Sequence, residues 1–246
     1  MIKEFFEGHD TRGEWRPKFA DLPPLFLWPL KPFKILKWII GFPGYLFPWN
    51  ALMMGISIVV WFFLTPELSR MKTFEFGWVT TIYIRNVMLL SIIAGILHLH
   101  FYTRKSQDVR YKYNDKWLRK NHPGFLFRNQ TWDNIFWSLI SGCGVWSAFE
   151  IVTFWMFANG YVPYLEFRSQ PVYFILLFLA IPLIRDFHFY LVHRLLHCPL
   201  LYKSAHYLHH KNTRIGPWSG LSMHPIEHLL YFTGVLLHWV LLSHPL

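Results

Sequence analysis

Long apolar runs with almost no charge are the feature that most limits what this chain can fold into. Four stand out, at residues 47–65, 78–102, about 134–158 and about 172–184, with a fifth at about 226–242. A helix that crosses a bilayer needs ~20 mostly apolar residues. The fourth run is short, but it continues into R-D-F-H-F-Y-L-V-H-R-L-L-H without a break. That predicts a helix that leaves the bilayer and projects into the cytosol. Charged residues make up 15% of the chain and aromatic residues 20%. Soluble domains carry roughly 25% charge. A soluble fold with so few charges would expose large apolar patches, which soluble monomers avoid.

The polar residues suggest how the runs are arranged. Lys and Arg number seven up to Tyr45, two in 66–77, eight in 103–130, one in 159–171 and five in 185–220. High and low counts alternate, so the positive-inside rule places the N-terminus and residues 185–220 in the cytosol. Residues 25–45 are aromatic-rich, contain several prolines and carry Lys31, Lys34 and Lys37. They read as lying in the membrane interface rather than spanning it. The net charge of +10 falls in blocks between apolar runs. Such blocks suit anionic headgroups better than a DNA groove, so the bilayer is the expected partner and nucleic acid is not. Cys143 and Cys198 do not read as a disulfide framework, and the N-terminus lacks the apolar core of a signal peptide. The expected fold is all-α: a multi-pass transmembrane helical stem with a cytosolic, histidine-rich metal-binding cap. Residues 1–45 form a cytosolic or interfacial segment and residues 46–246 the membrane domain.

Ten of the fourteen histidines lie at or after His188. His193 and His197 are four apart, on one face of a helix, where two imidazoles can reach one ion. Asp186 is seven before His193 on about the same face, placed to accept a ring N–H and fix a tautomer. His188, five before His193, is a weaker candidate. His206, His209 and His210 have i, i+3, i+4 spacing and form a tight patch if helical. His224 sits at a helix start, with Pro225 at the first helical position. His228 follows one turn later, and Glu227 is placed to orient a ligand or move a proton. The prolyl break at Cys198-Pro199 should end or bend the preceding helix.

A lone histidine on an apolar face is more often a structural hydrogen bonder than a ligand. That reading fits His98, His100, His238 and His244, although a substrate-cavity role for His98 and His100 stays open. It fits the clusters poorly. Seven histidines within 36 positions would repel one another on protonation, whereas a metal binds them neutral. Seven ligands exceed what one tetrahedral ion uses, which argues for two metals. Imidazole ligation suits iron, zinc or copper and does not choose among them. H-E-x-x-H, G-x-S-x-G, Walker A and G-x-G-x-x-G motifs are absent.

The residues H-R-L-L-H (193–197), H-Y-L-H-H (206–210) and G-P-W-S-G-L-S-M-H-P-I-E-H (216–228) resemble the fatty acid hydroxylase/sterol desaturase superfamily. Its pattern is HxxxH, then HxxHH, then a second HxxHH, with an HPxE element before the last box. From about Phe47 onward the arrangement of spans looks similar too. The resemblance implies a membrane oxygenase with two iron ions, zinc being a possible substitute. Its ligands would be His193, His197, His206, His209 and His210, with His224 and His228 as additions. Asp186 and Glu227 would support catalysis beside them, and Arg194 would face away. A sterol or fatty-acyl lipid would be hydroxylated or desaturated with O₂ and electrons from cytochrome b5 or a ferredoxin. The membrane would be the endoplasmic reticulum or a bacterial inner membrane. The second HxxHH box is not present in these 246 residues, and the sequence stops at Leu246 with no charged anchor after the fifth run. This predicts a fragment of a longer protein, lacking some of the metal ligands. The competing reading is a non-enzymatic membrane protein that binds metal or haem. A transporter should place ligands near mid-membrane in broken helices, and haem needs only one or two axial histidines.

Overall fold

A computed structural model describes residues 8–9, 14–16, 22–110 and 112–245. The chain divides after Thr65 into two compact units.

In the first unit, Gly8–His9 (β1) and Trp15–Arg16 (β2) form a two-residue antiparallel pair. Helix α1, Pro32–Ile40, starts with proline at its first turn, where the missing N–H costs nothing. Nine residues rise only about 14 Å, so α1 does not span a bilayer. Trp38 packs its ring 5.3 Å from Tyr45, while Phe33, Leu36 and Ile40 stay exposed. Helix α2, Leu46–Leu64, has 19 residues and is long and apolar enough to cross a membrane. Its ends are tied by Asn50 Nδ2 donating to Tyr45 O (2.7 Å) and Thr65 Oγ1 donating to Val60 O (2.9 Å).

The second unit holds three more helices of spanning length: α3, Phe76–Thr103; α4, Gln130–Ala158; and α5, Pro171–Leu196. Asn129 caps α4 by accepting from the Thr131 N–H at 2.9 Å. Pro171 opens α5 at its first helical turn. Helices α3 and α4 are joined by a polar knot. Asn86 Nδ2 donates to Ser147 Oγ (3.0 Å) and Glu150 Oε2 (2.8 Å), and Arg85 pairs with Glu150. Charges at this depth persist only when paired and hydrogen-bonded, as these are.

Helix α5 runs without interruption from the fourth apolar run through His193 to Leu196, as the sequence predicts, with Pro182 inside it. Cys198 then turns extended, and Pro199 begins the next helix, α6 (residues 199–210). The fifth apolar run adds no helix of spanning length among the described residues. It forms α7 (residues 225–240), which tightens over Phe232–Leu236. Sixteen residues rise about 24 Å, short of the ~30 Å hydrocarbon core. Its end docks on the α4–α5 connection, with Leu165 N–H donating to Ser243 O (2.9 Å), and on α4, with Trp239 Nε1 donating to Thr153 Oγ1 (3.0 Å).

Candidate metal centre

The site is built where α5, α6 and α7 meet. At the end of α5, four-residue spacing puts His193 and the C-cap residue His197, which keeps helical angles, on one face, and their Nε2 atoms lie 3.1 Å apart. On α6 the same spacing brings His206 Nε2 and His210 Nε2 to 2.9 Å. The reversal at Cys198-Pro199 folds α6 back, so the two pairs face each other. The His193 ring lies 4.8 Å and the His197 ring 4.9 Å from the His206 ring. One ring nitrogen from each of the four histidines lies within 4.8 Å of all the others.

Such a cluster has one economical occupant. Imidazole nitrogens sit about 2.0–2.1 Å from a bound ion, so ligands sharing one ion are roughly 3–4 Å apart. Without a cation, lone pairs or protons would be crowded together. Burial, reinforced by His210, His193, His209 and His197, pushes His206 down to about 3. Burial and then His210 and His193 push His209 down to about 4, and burial and then His197 lower His210. Burial therefore disfavours the charged form of His206, His209 and His210, and the neutral imidazole is the form that binds metal. The donor set fits a metal ion.

Glu227, on α7, reaches across and places Oε1 2.9 Å from His206 Nδ1. A proton on Nδ1, donated to Glu227, leaves Nε2 as a lone pair aimed at the other three rings. Burial raises the Glu227 carboxyl to about 8. A cation held among the rings would supply the charge that favours its ionised form.

The remaining expected residues are placed differently. His209 stacks on His206 with centroids 5.7 Å apart, and its Nδ1 is buried without a hydrogen-bond partner, as is Glu227 Oε2. His224 is the N-cap of α7, its Nδ1 accepting from the Ile226 N–H at 3.2 Å. His228 has both ring nitrogens engaged, Nδ1 with Ser141 Oγ (2.8 Å) and Nε2 with Leu221 O (3.2 Å). Neither joins the four-histidine group. Asp186 is exposed and bonds Arg185 at 2.8 Å, rather than orienting a ring of the cluster. Arg194 bonds the Tyr190 hydroxyl at 2.9 Å on the exposed side. His98 stacks on Tyr102 at 5.5 Å, and His238 Nδ1 meets Ser243 Oγ at 3.2 Å.

One support was not anticipated from the sequence. Gln130, Asn134, Ser138 and Ser141 form a buried polar stripe on α4. Gln130 donates to Asn212 Oδ1 (3.1 Å) and Arg214 O (2.6 Å). Asn134 donates to Ser219 Oγ (3.0 Å), Ser138 to Trp218 O (2.8 Å), and Ser141 meets His228. The stripe fixes the irregular segment 211–224 that links α6 to α7, and so holds Glu227 opposite His206. The signal lay in the sequence, as polar residues at helical-turn intervals inside an apolar run.

Comparison with known families matches residues 178–246 to the fatty acid hydroxylase family. The match takes in most of α5, all of α6 and α7, and every residue of the four-histidine group. It begins within α5, well after Phe47, so it covers less of the chain than the sequence resemblance suggested. No solved structure matches the chain.

Proposed function

We propose that the protein is a membrane oxidoreductase of the fatty acid hydroxylase/sterol desaturase kind, which inserts oxygen into, or removes hydrogen from, a C–H bond of a lipid. The observation that carries this reading is the convergence of His193, His197, His206 and His210 at the end of a spanning helix, within the segment that resembles the family. The metal in this reading is iron, present as a pair. Support for a second ion comes from the buried, unpartnered His209 Nδ1 and Glu227 Oε2 beside the first group. Zinc is the expected substitute, because it accepts the same imidazoles.

When bound, iron supplies O₂ activation and the oxidising power needed to break an unactivated C–H bond. The protein's own residues do the rest. The imidazoles of His193, His197, His206 and His210 would hold the ion in position. Glu227 orients His206 and stands ready to hold a proton at Oε1 or Oε2. Helix α5 carries His193, and His197 at its C-cap, at the end of a spanning segment, so a lipid can approach sideways from the bilayer. Electrons come from a donor such as cytochrome b5 or a ferredoxin, and the cluster faces the cytosol, where such donors work.

Lipid profiling of a host expressing the chain, alongside His193→Ala, tests the reading. A hydroxylated or desaturated lipid formed by the parent and absent from His193→Ala is the expected result. Identical profiles in both, with iron bound to the parent, would remove the enzymatic claim.

A further inference from the structure

The connection that follows α3 carries a cluster the metal centre does not use. Residues 103–130 hold eight Lys and Arg against two carboxylates, Asp108 and Asp115, so the segment cannot neutralise itself. Trp117 gathers part of that charge. Lys105 Nζ lies 4.4 Å and Lys112 Nζ 4.6 Å from the centroid of its ring. The two ammonium groups are therefore at most about 9 Å apart, a separation over which charges still feel each other in salt. Arg214, from the segment between α6 and α7, donates from Nη1 to Trp117 O at 2.9 Å. Tyr102, in the last turn of α3, sets its ring edge-on to Trp117 at 5.9 Å, with Lys112 Nζ 5.4 Å from its centroid. Three cations thus converge on one indole.

The backbone is bent to allow this. Lys105 and Asp108 take left-handed angles, φ 51° and 44°, which residues other than glycine rarely adopt. The turn is tied down by Asp108 N–H donating to Lys105 O (2.9 Å) and Ser106 N–H donating to His100 O (3.1 Å). It returns Lys105 to the indole. Strain of this kind gathers where a chain is shaped to bind. Burial lowers the Lys112 ammonium from its usual value, Asp115 opposes that shift, and Arg214 adds to it. Even with Asp115 beside them, the three cations leave a net positive charge.

We propose that Lys105, Lys112 and Arg214 form, around Trp117, a discrete site for a phosphate group presented at the membrane surface by an anionic lipid. A phosphate has several acceptor oxygens, which two ammonium groups and a guanidinium can share. The level of the site favours a lipid as the source. Lys105 lies two residues past Thr103, where the spanning-length helix α3 ends. Trp and Tyr are the residues that settle at headgroup depth, and their rings offer an apolar surface to the glycerol carbons.

The site also reaches the metal centre through the backbone. The Tyr102 hydroxyl donates to Ile215 O, and Arg119 Nη2 donates to Thr213 Oγ1 at 3.3 Å. With Arg214, these bonds hold the 211–224 segment from the α3 side, as the α4 stripe holds it from the other. An anion that relieves repulsion among Lys105, Lys112 and Arg214 keeps that segment, and Glu227 beyond it, in place. The site stands whether or not the metal centre oxidises a lipid.

Native mass spectrometry of the purified full chain, titrated with phosphatidylglycerol, phosphatidylcholine or inorganic phosphate, tests this. One phosphatidylglycerol should stay bound per chain, about tenfold more tightly than phosphatidylcholine. Lys105→Gln/Lys112→Gln should weaken it about thirtyfold, about fivefold for each lysine, and Lys105→Arg/Lys112→Arg should preserve it. Lys34→Gln/Lys37→Gln removes the same charge from α1 and should leave the bound lipid unchanged. An equal loss in that variant would mean diffuse attraction and overturn the proposal, as would phosphatidylcholine bound as tightly as phosphatidylglycerol. Inorganic phosphate that displaces the lipid at equal concentration would overturn the lipid source and assign the site to a soluble phosphate ester. Hydrogen exchange of the parent chain needs no substitution. Residues 103–119 and 211–216 should exchange about tenfold more slowly in phosphatidylglycerol nanodiscs than in phosphatidylcholine ones. Equal exchange in both would overturn the proposal.

Discussion

Three histidine pairs in this chain share four-residue spacing, and only two of them converge into a group that could hold a metal ion. His193/His197 and His206/His210 lie within helical turns, so each pair shares a face and brings its Nε2 atoms to about 3 Å. His224/His228 has the same spacing, but His224 is the N-cap of α7, with extended backbone angles. Its ring turns back to its own helix N-terminus, and His228 is left to hydrogen-bond Ser141 and Leu221 O. Spacing places two side chains on one face only when both residues keep helical backbone angles, as the C-cap His197 does and the N-cap His224 does not. The first two pairs are arranged to hold an ion, and the third to hold a segment in place.

Substitutions should separate these roles. The largest effect is expected for His206→Ala, which removes the most buried member of the cluster together with the ring that Glu227 orients. Metal content by mass spectrometry should fall to background. Next comes Glu227→Ala. Removing a group that orients a ligand histidine typically costs about 10–100-fold in metal affinity, which competition with a chelator reads directly. The smallest effect on metal is expected for His228→Ala. It should leave metal content unchanged and lower stability by about 1–3 kcal/mol, because Ser141 and Leu221 O lose a buried partner. A thermal melt in detergent measures that loss. Metal depletion by His228→Ala would erase the distinction between the pairs.

Much of this was legible in the sequence because it is local. Apolar run length gives α2 to α5, and helical spacing gives the two ligand pairs. The continuation of α5 through R-D-F-H-F-Y-L-V-H could be read because nothing in it stops a helix. What could not be read depends on contacts distant in sequence. Asp186 shares a face with His193 by count, but its nearest opposite charge is the neighbouring Arg185, and solvent keeps it there. The run at 226–242 has the composition of a span, but it tightens midway and docks through Ser243 and Trp239. The α4 stripe is visible as a pattern, but its partners, 80 or more residues away, are fixed only by the fold.

X-ray absorption at the iron edge of the loaded protein tests the central claim most directly. Several imidazole nitrogens are expected about 2.0–2.1 Å from the metal, with the imidazole signal reduced in His206→Ala and intact in His228→Ala. A first shell of oxygen alone, or one indifferent to His206, would contradict it.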